Sequence, residues 1–533
     1  MHLHHQFFKS AENQPRSTAV IEESGLKVTY QELKNLAIQF TSCIDSLSTK
    51  ITNHSGIGIL STIHHQSIAA AIGILNSGNS YIPIDELSPE SRITPIIVAA
   101  KINLIIIDSA LINRHAYILN SDIIKKVIVI GEKRVLTCPE NKKIILFSDY
   151  LSDTKTNKAK TTDTTICNDQ LAYILHTSGS TGTPKGIMLS HKNAVAFIDW
   201  MQSKFQLTTK DKIISRAPLK FDLSVFDIFN TLSAGATLIC FDWNKPRSSY
   251  EKHKDYVSLL EREKVTILYT TPSTLTTLKE RGGLGKNKNS LRSIMYAGEP
   301  FPIPKLQELR TVLPKTAFFN IYGPTETNIV TYFHIDQTDE ELTKWSAVPL
   351  GEAAEHCDIL VVNEEENRLC KANEIGELWC CGDTVCQGYL HQTELTKSCI
   401  SFNPFQNAEG RYWKTGDYGF KDQQGILHYR GRKDHLVKIN GYRVELGEIE
   451  SALALIEDIH ECCVVLKSIT DKKPILYCYY STKNNKILSD KTIKRSLAHS
   501  LPFHMIPDNF IYLNDLPKTS SDKIDRINLT HRA

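Results

Sequence analysis

The stretch YILHTSGSTGTPKGIMLSH, residues 173–191, ends an apolar run in a dense set of hydroxyls, glycines and one lysine. Thr177, Ser178, Ser180, Thr181 and Thr183 supply hydroxyls, Gly179 and Gly182 open the backbone to close approach, and Lys185 adds a positive charge. Such a loop after a buried strand suits a polyphosphate, whose oxygens accept from main-chain N–H groups and side-chain hydroxyls. A plain glycine–serine linker would need neither the lysine nor the strand. The common P-loop spacing GxxxxGK[ST] fails, because Pro184 and Gly186 stand where it requires glycine and a hydroxyl residue. The phosphate chemistry is therefore of another kind.

The elements that must hold this loop are legible as apolar runs. KINLIIIDSA, IKKVIVIG, KKIILF, DKIISRAP, GATLICFD, KVTILYTTP, SIMYAGE and TAFFNIYGPTE are short strand patterns with helical patterns between them, and residues 55–84 read as strand, helix, strand. This alternation predicts an α/β fold with largely parallel sheets. From Gly351 onward the pattern turns β-rich and glycine-punctuated. Past GRKDHLVKINGYRVELGEIE, the residues Leu446, Ile449, Leu453, Ile456 and Ile459 recur at helical spacing, followed by two strand patterns and a helical one. The reading is an N-terminal core of α/β subdomains plus a β-rich subdomain over 1–431, and a small α+β domain over 432–533. The polar stretch 150–168 reads as a surface loop.

Composition removes several classes of function. At 533 residues, the chain is too long for one compact core. A net charge of +3 gives no case for nucleic acid or an anionic membrane. No apolar run approaches the roughly 20 residues that span a bilayer, and MHLHHQFFKSAENQPRS lacks the core of a secretory signal. The 13 cysteines form no CxxC pair, although Cys380-Cys381 and Cys462-Cys463 adjoin; buried thiols in a reducing cytoplasm fit better than a zinc site.

The opening stretch resembles the signature loop of the adenylate-forming enzymes, and specifically the amino-acid adenylation domains of non-ribosomal peptide synthesis. Nine further segments match that family in order: VTYQEL, LNSGNSYIPID, FDLSVFDIF, NIYGPTET, GELWCCGDTVCQGY, YWKTGD, GRKDHLVKINGYRVELGEIE, LPFHMIPDNF and SSDKIDR. The resemblance implies that a carboxylate attacks the α-phosphate of ATP to give an acyl-adenylate and pyrophosphate, and that a thiol then takes the acyl group. It assigns ATP to residues 177–182 and Lys185, to Asn320, Tyr322 (near the adenine), Gly323, Asp417 (on the ribose hydroxyls) and Arg432. Thr325 would contact the α-phosphate, and Glu326 would hold Mg²⁺, a hard ion that prefers carboxylate oxygen. Lys523 is implied as the lysine of adenylation and Lys438 as that of thioester formation. Both lie on the small domain, so the two half-reactions imply a rotation about a hinge at Asp434. On residue type alone, Lys523 reads as a solvated surface charge and Asp417 as a turn residue.

The same resemblance makes Asp222 the partner of an amino-acid ammonium; on residue type alone it would cap the following helix. The implied side-chain pocket comprises Leu223, Phe226, Tyr269, Met295, Ala297, Ile321, Ile329 and Val330, with Lys523 at the carboxylate end. An apolar lining disfavours charged substrates and suits a small apolar amino acid. The pocket string and GPTETNIVTYF are similar to those of free-standing prolyl-carrier-protein ligases, so L-proline is expected, with alanine and valine as alternatives. The chain stops soon after Asp525 and carries no carrier motif, which leads to the expectation of a phosphopantetheinylated carrier protein in trans. Four departures stand out: His176 for tyrosine, Lys414 for arginine, His504 for tyrosine, and Ser521-Asp522 for Asn-Gly before Lys523. Two other readings stay open, an acyl- or aryl-CoA ligase and a nucleotide-binding relative without turnover.

Overall fold

A computed structural model describes residues 2–47, 56–88, 90–132, 143–152, 169–177, 185–215, 217–243, 245–298, 300–345, 347–402, 411–432, 436–439, 442–467, 475–498, 501, 505–519 and 522–532. The isoleucine-rich runs form strands, as β-branched side chains favour. Ile57–Leu60, Tyr81–Pro83, Leu104–Asp108, Lys126–Ile130, Lys143–Leu146 and Leu171–Thr177 lie parallel in an eight-stranded sheet. Lys212–Ser215, Thr237–Cys240, Ile267–Thr270, Ser293–Tyr296 and Ala317–Tyr322 lie parallel in a nine-stranded one, whose edges turn antiparallel. Most residues of the inner strands are buried, which accounts for their near-continuous apolar composition.

Helix His65–Asn76 is apolar on nearly every side, and residues 67–75 are all buried. Its Gly73 permits contact with helix Tyr30–Ser46, since a Cβ there would sit 2.5 Å from the Cβ of Phe40. The VTYQEL motif proves to be a helix start: Thr29 Oγ1 accepts from the Glu32 N–H, and Glu32 accepts from the Thr29 N–H at 2.7 Å. Part of the family signature is thus fold rather than chemistry.

A six-stranded sheet, antiparallel throughout, follows from Cys357 to Arg432, in keeping with the glycine-punctuated pattern. Beyond it, Leu446, Ile449, Leu453, Ile459, Val464 and Leu476 share a core of their own. The helix there is shorter than its apolar spacing predicts. It ends at Ala454, Ile456 is in the following turn, and Ile459 opens strand Ile459–Lys467. Both elements deliver their apolar residues to one cluster, so spacing alone did not separate them. Two expectations, the loop 150–168 beyond Ser152 and the hinge residue Asp434, lie outside the described residues.

Among the described residues, no helix is long and apolar enough to cross a membrane. The described cysteines are all free thiols, and most are buried.

Candidate active site

Strand Leu171–Thr177 and strand Lys185–Ser190 pair antiparallel, with Thr177 opposite Lys185. The strands that flank the hydroxyl-rich segment are therefore antiparallel neighbours. Ser178, Gly179, Ser180, Thr181 and Gly182 lie outside the described residues. Lys185 is half-buried, and its Nζ lies 5.6 Å from the ring centre of Tyr389. Tyr389 sits on a two-residue strand, Gly388–Tyr389, laddered onto Ile187 and Met188. Its hydroxyl donates to Glu326 Oε1 at 2.6 Å. Burial, then the charge of Glu326, pushes the Tyr389 pKa far up, so the phenol stays a donor. Motif matching gave Tyr389 no role; only the docking of its strand brings it to Glu326.

Glu326 and Thr325 follow strand Ala317–Tyr322 in a turn that requires glycine at 323. A Cβ on Gly323 would lie 1.6 Å from the Asn328 carbonyl oxygen. Thr325 Oγ1 donates to Asp222 Oδ2 at 2.8 Å. The resemblance assigns Thr325 to a phosphate; its hydroxyl here is donated to the aspartate. Asp222 precedes helical residues 223–233 but makes no side-chain capping bond to them. The capping alternative is thereby removed.

Phe226, Tyr269, Met295, Ala297, Ile321 and Ile329 are buried in one cluster beside Asp222, with Leu223 packed against it. Phe226 and Tyr269 meet edge to face at 5.3 Å. Burial, then the nearby Asp222 and Asp227 carboxylates, raises the Tyr269 pKa well above its ordinary value. Val330 is the exception: it packs with Leu350, Ile359, Val361, Leu378 and Tyr322 in a different cluster. Alternation along the extended chain after Asn328 sends Ile329 and Val330 to opposite sides. The Asp222 loop is tied down by Lys220, whose Nζ lies 2.5 Å from Asp85 Oδ2, both side chains nearly buried. Burial opposes ionisation of Asp85, but Lys220, Ser88 and the Leu87 N–H together hold its pKa below the ordinary value. This pair joins the LNSGNSYIPID and FDLSVFDIF motifs and was not legible in either.

Tyr322 donates to Asp417 Oδ2 at 2.6 Å, and Asp417 is 4% exposed. Arg432 stands opposite Asp417 in the ladder. Asn320 is buried, and its amide donates to the Pro349 carbonyl at 2.7 Å, holding the neighbouring loop. Of the departures, Lys414 places its ammonium 4.8 Å over the Trp379 ring, and His504 lies outside the described residues.

Lys523 is exposed on a tight turn whose Thr519 N–H donates to the Lys523 carbonyl at 2.7 Å. Asp522 takes φ +63°, a left-handed conformation that glycine favours and aspartate tolerates. Lys523 Nζ lies 3.8 Å from where a Cβ on Gly298 would be, just past Ala297 at the end of a pocket strand. Lys438 lies on the ribbon Leu436–Ile439 opposite Arg443. The small domain also touches the core through His460 Nδ1, 3.5 Å from Glu280 Oε2.

The model of the AMP-binding enzyme family matches residues 7–390, and that of the AMP-binding enzyme C-terminal domain matches 448–523. An L-proline--[L-prolyl-carrier protein] ligase of Pseudomonas fluorescens is 32% identical over 99% of this chain and 99% of its own length. A D-alanine--D-alanyl carrier protein ligase of Lactiplantibacillus plantarum is also 32% identical, over 97% of this chain and 96% of its own. Much longer relatives match as well; the chain spans 9% of bacitracin synthase 1 of Bacillus licheniformis. Among solved structures, the anthranilate CoA ligase AuaEII with anthranoyl-AMP has a TM-score of 0.83 at 20% identity, covering 99% of this chain and 96% of that one.

Proposed function

The chain belongs to the AMP-binding enzyme family, and from that premise we propose that it activates a small apolar amino acid, foremost L-proline, with ATP, and passes it as a thioester to the phosphopantetheine of a separate carrier protein. One observation carries the amino-acid part. Asp222 is uncapped, hydrogen-bonded to Thr325 and set against an apolar cluster, so a substrate ammonium meets a carboxylate that an apolar acid would leave unmatched. Phe226, Tyr269, Met295, Ile321 and Ile329 fill the space beyond it and favour a short side chain. The carrier-protein ligase relatives support the acceptor; those acting on proline and on D-alanine are equally similar, and the likeness of the pocket residues to those of prolyl-carrier-protein ligases is what favours proline.

In this reading, Lys523 bridges the substrate carboxylate and the α-phosphate while attack expels pyrophosphate, and positioned positive charge does most of the catalytic work. Glu326, oriented by Tyr389, fits Mg²⁺ as a hard oxygen donor. The ion would neutralise phosphate oxygens. Tyr322, Asp417 and Arg432 would hold the nucleoside, and residues 177–182 with Lys185 the phosphates. Residues 432–533 would turn about Asp434 to exchange Lys523 for Lys438. A cytoplasmic setting belongs to the same proposal, on the strength of the free thiols.

The test is pyrophosphate exchange with both hands of proline, alanine, valine and serine, beside aliphatic and aryl acids. L-Proline should give the fastest exchange. D-Alanine ahead of L-proline would overturn the proline assignment, and exchange with simple acids alone would overturn the amino-acid reading.

A further inference from the structure

The N-terminal turn gathers imidazoles beside His191, the last residue of the hydroxyl-rich stretch. His2, His4 and His5 each offer one ligand atom, all within 4.8 Å of one another. His2 and His4 are 8% and 1% exposed, whereas His5 is exposed. His2 Nδ1 lies 3.3 Å from His5 Nε2. The two share a hydrogen bond at that distance, and since two nitrogens each about 2.05 Å from a tetrahedral zinc are separated by about 3.3 Å, the same spacing fits an ion in place of the shared proton. His4 Nδ1 is buried with no hydrogen-bond partner among the described residues. A buried polar nitrogen in that state demands an explanation, and an ion is one.

The surroundings hold the turn in place. Helix His5–Asn13 begins within it, and His191 opens helix His191–Phe205 beside it. The His191 ring lies 5.0 Å from that of His2 and 5.8 Å from that of His4, and its Nδ1 accepts the Leu3 N–H at 3.2 Å. A second cluster, Glu22, His64 and His65, lacks this character. There His64 Nε2 meets Asp108 Oδ2 at 3.1 Å, its Nδ1 accepts the Gln66 N–H, and His65 bonds to Glu22. Both nitrogens of His64 are thus bonded to protein, and His65 Nδ1 is bonded to Glu22.

We propose that His2, His4 and His5 bind one transition-metal dication of the zinc class, which fixes the N-terminal turn at the start of helix His5–Asn13. Neutral imidazole nitrogens suit Zn²⁺, Ni²⁺ or Cu²⁺ and not the Mg²⁺ proposed at Glu326. None of the three histidines is among the residues assigned to nucleotide or amino acid, so the site adds stability rather than chemistry, and it stands whether or not the proposed reaction does.

The test uses the full chain stripped by a chelator and titrated with Co²⁺ and then Zn²⁺. The expected result is one ion per chain, intense visible absorption from four-coordinate Co²⁺, its displacement by Zn²⁺, and a rise of about 1–3 °C in unfolding temperature that Mg²⁺ does not reproduce. His4→Ala should weaken Zn²⁺ binding at least about tenfold and abolish the shift. His5→Ala, at an exposed ring, should do the same without disturbing packing. Equal affinity of the urea-unfolded chain with no thermal shift would overturn the site, as would undiminished binding in both variants or no binding at micromolar Zn²⁺.

Discussion

Thr325 Oγ1 lies 2.8 Å from Asp222 Oδ2, and this one hydrogen bond joins the GPTET turn to the FDLSVFDIF helix. The residue that family resemblance assigns to phosphate is the one that orients the carboxylate assigned to the amino acid. On the proposed assignments, binding of either substrate would act on the other's contact.

Thr325→Val keeps the shape and removes that donor. A hydrogen bond to a charged group contributes about 1.5–3 kcal/mol, so KM for the amino acid should rise about tenfold or more. Steady-state exchange with each substrate varied in turn checks this. A rise in the ATP KM alone would place the hydroxyl on nucleotide only.

Lys523→Ala should slow adenylation by at least about 100-fold, the usual cost of losing a positioned charge at a developing anion. Thioester formation from preformed adenylate should be spared, and equal loss of both steps would contradict a separate role for Lys438. At the neighbouring left-handed position, Asp522→Gly should be tolerated. Asp522→Val should slow adenylation, because a β-branched residue disfavours φ near +63°.

Tyr389→Phe deletes the donor to Glu326 while leaving the ring beside Lys185. The Mg²⁺ concentration for half-maximal exchange should rise about tenfold. An unchanged Mg²⁺ requirement would detach Tyr389 from the metal-binding role proposed for Glu326.

Lys220→Met strands Asp85 with one charged partner fewer at a nearly buried site. Removing one member of such a pair costs about 3–5 kcal/mol, which urea unfolding will read as an earlier midpoint. A loss within about 0.5 kcal/mol would show that the pair is balanced by solvent.

His356 sets a pH dependence. Burial lowers its pKa from 6.5 to about 4, so the folded state prefers the neutral ring while the unfolded chain takes up a proton. Stability from this group is complete above pH 6.5 and is lost as pH falls toward 4. Between pH 7 and pH 5 the loss should be about 2 kcal/mol. His356→Leu should flatten that part of the urea-midpoint profile, and a parallel profile would assign the slope to other groups.

The residues that turn around Asp222, Glu326, Asp417 and Lys523 were recognisable from motif order, and the parallel strands from their isoleucine runs. Both are local: they depend on neighbours a few positions away, which one sequence displays in full. The C-terminal helix and strand were blurred because Leu446, Ile449, Leu453 and Ile459 serve one core from two elements. Tyr389 against Glu326, Lys220 against Asp85, Val330 turned into a different cluster and Lys523 beside Gly298 were decided only in three dimensions. Each joins residues far apart in the chain, and their meeting depends on how sheets register and domains dock. Those long-range distances leave no periodicity in the chain itself, so residue types named the chemistry while tertiary packing chose the partners.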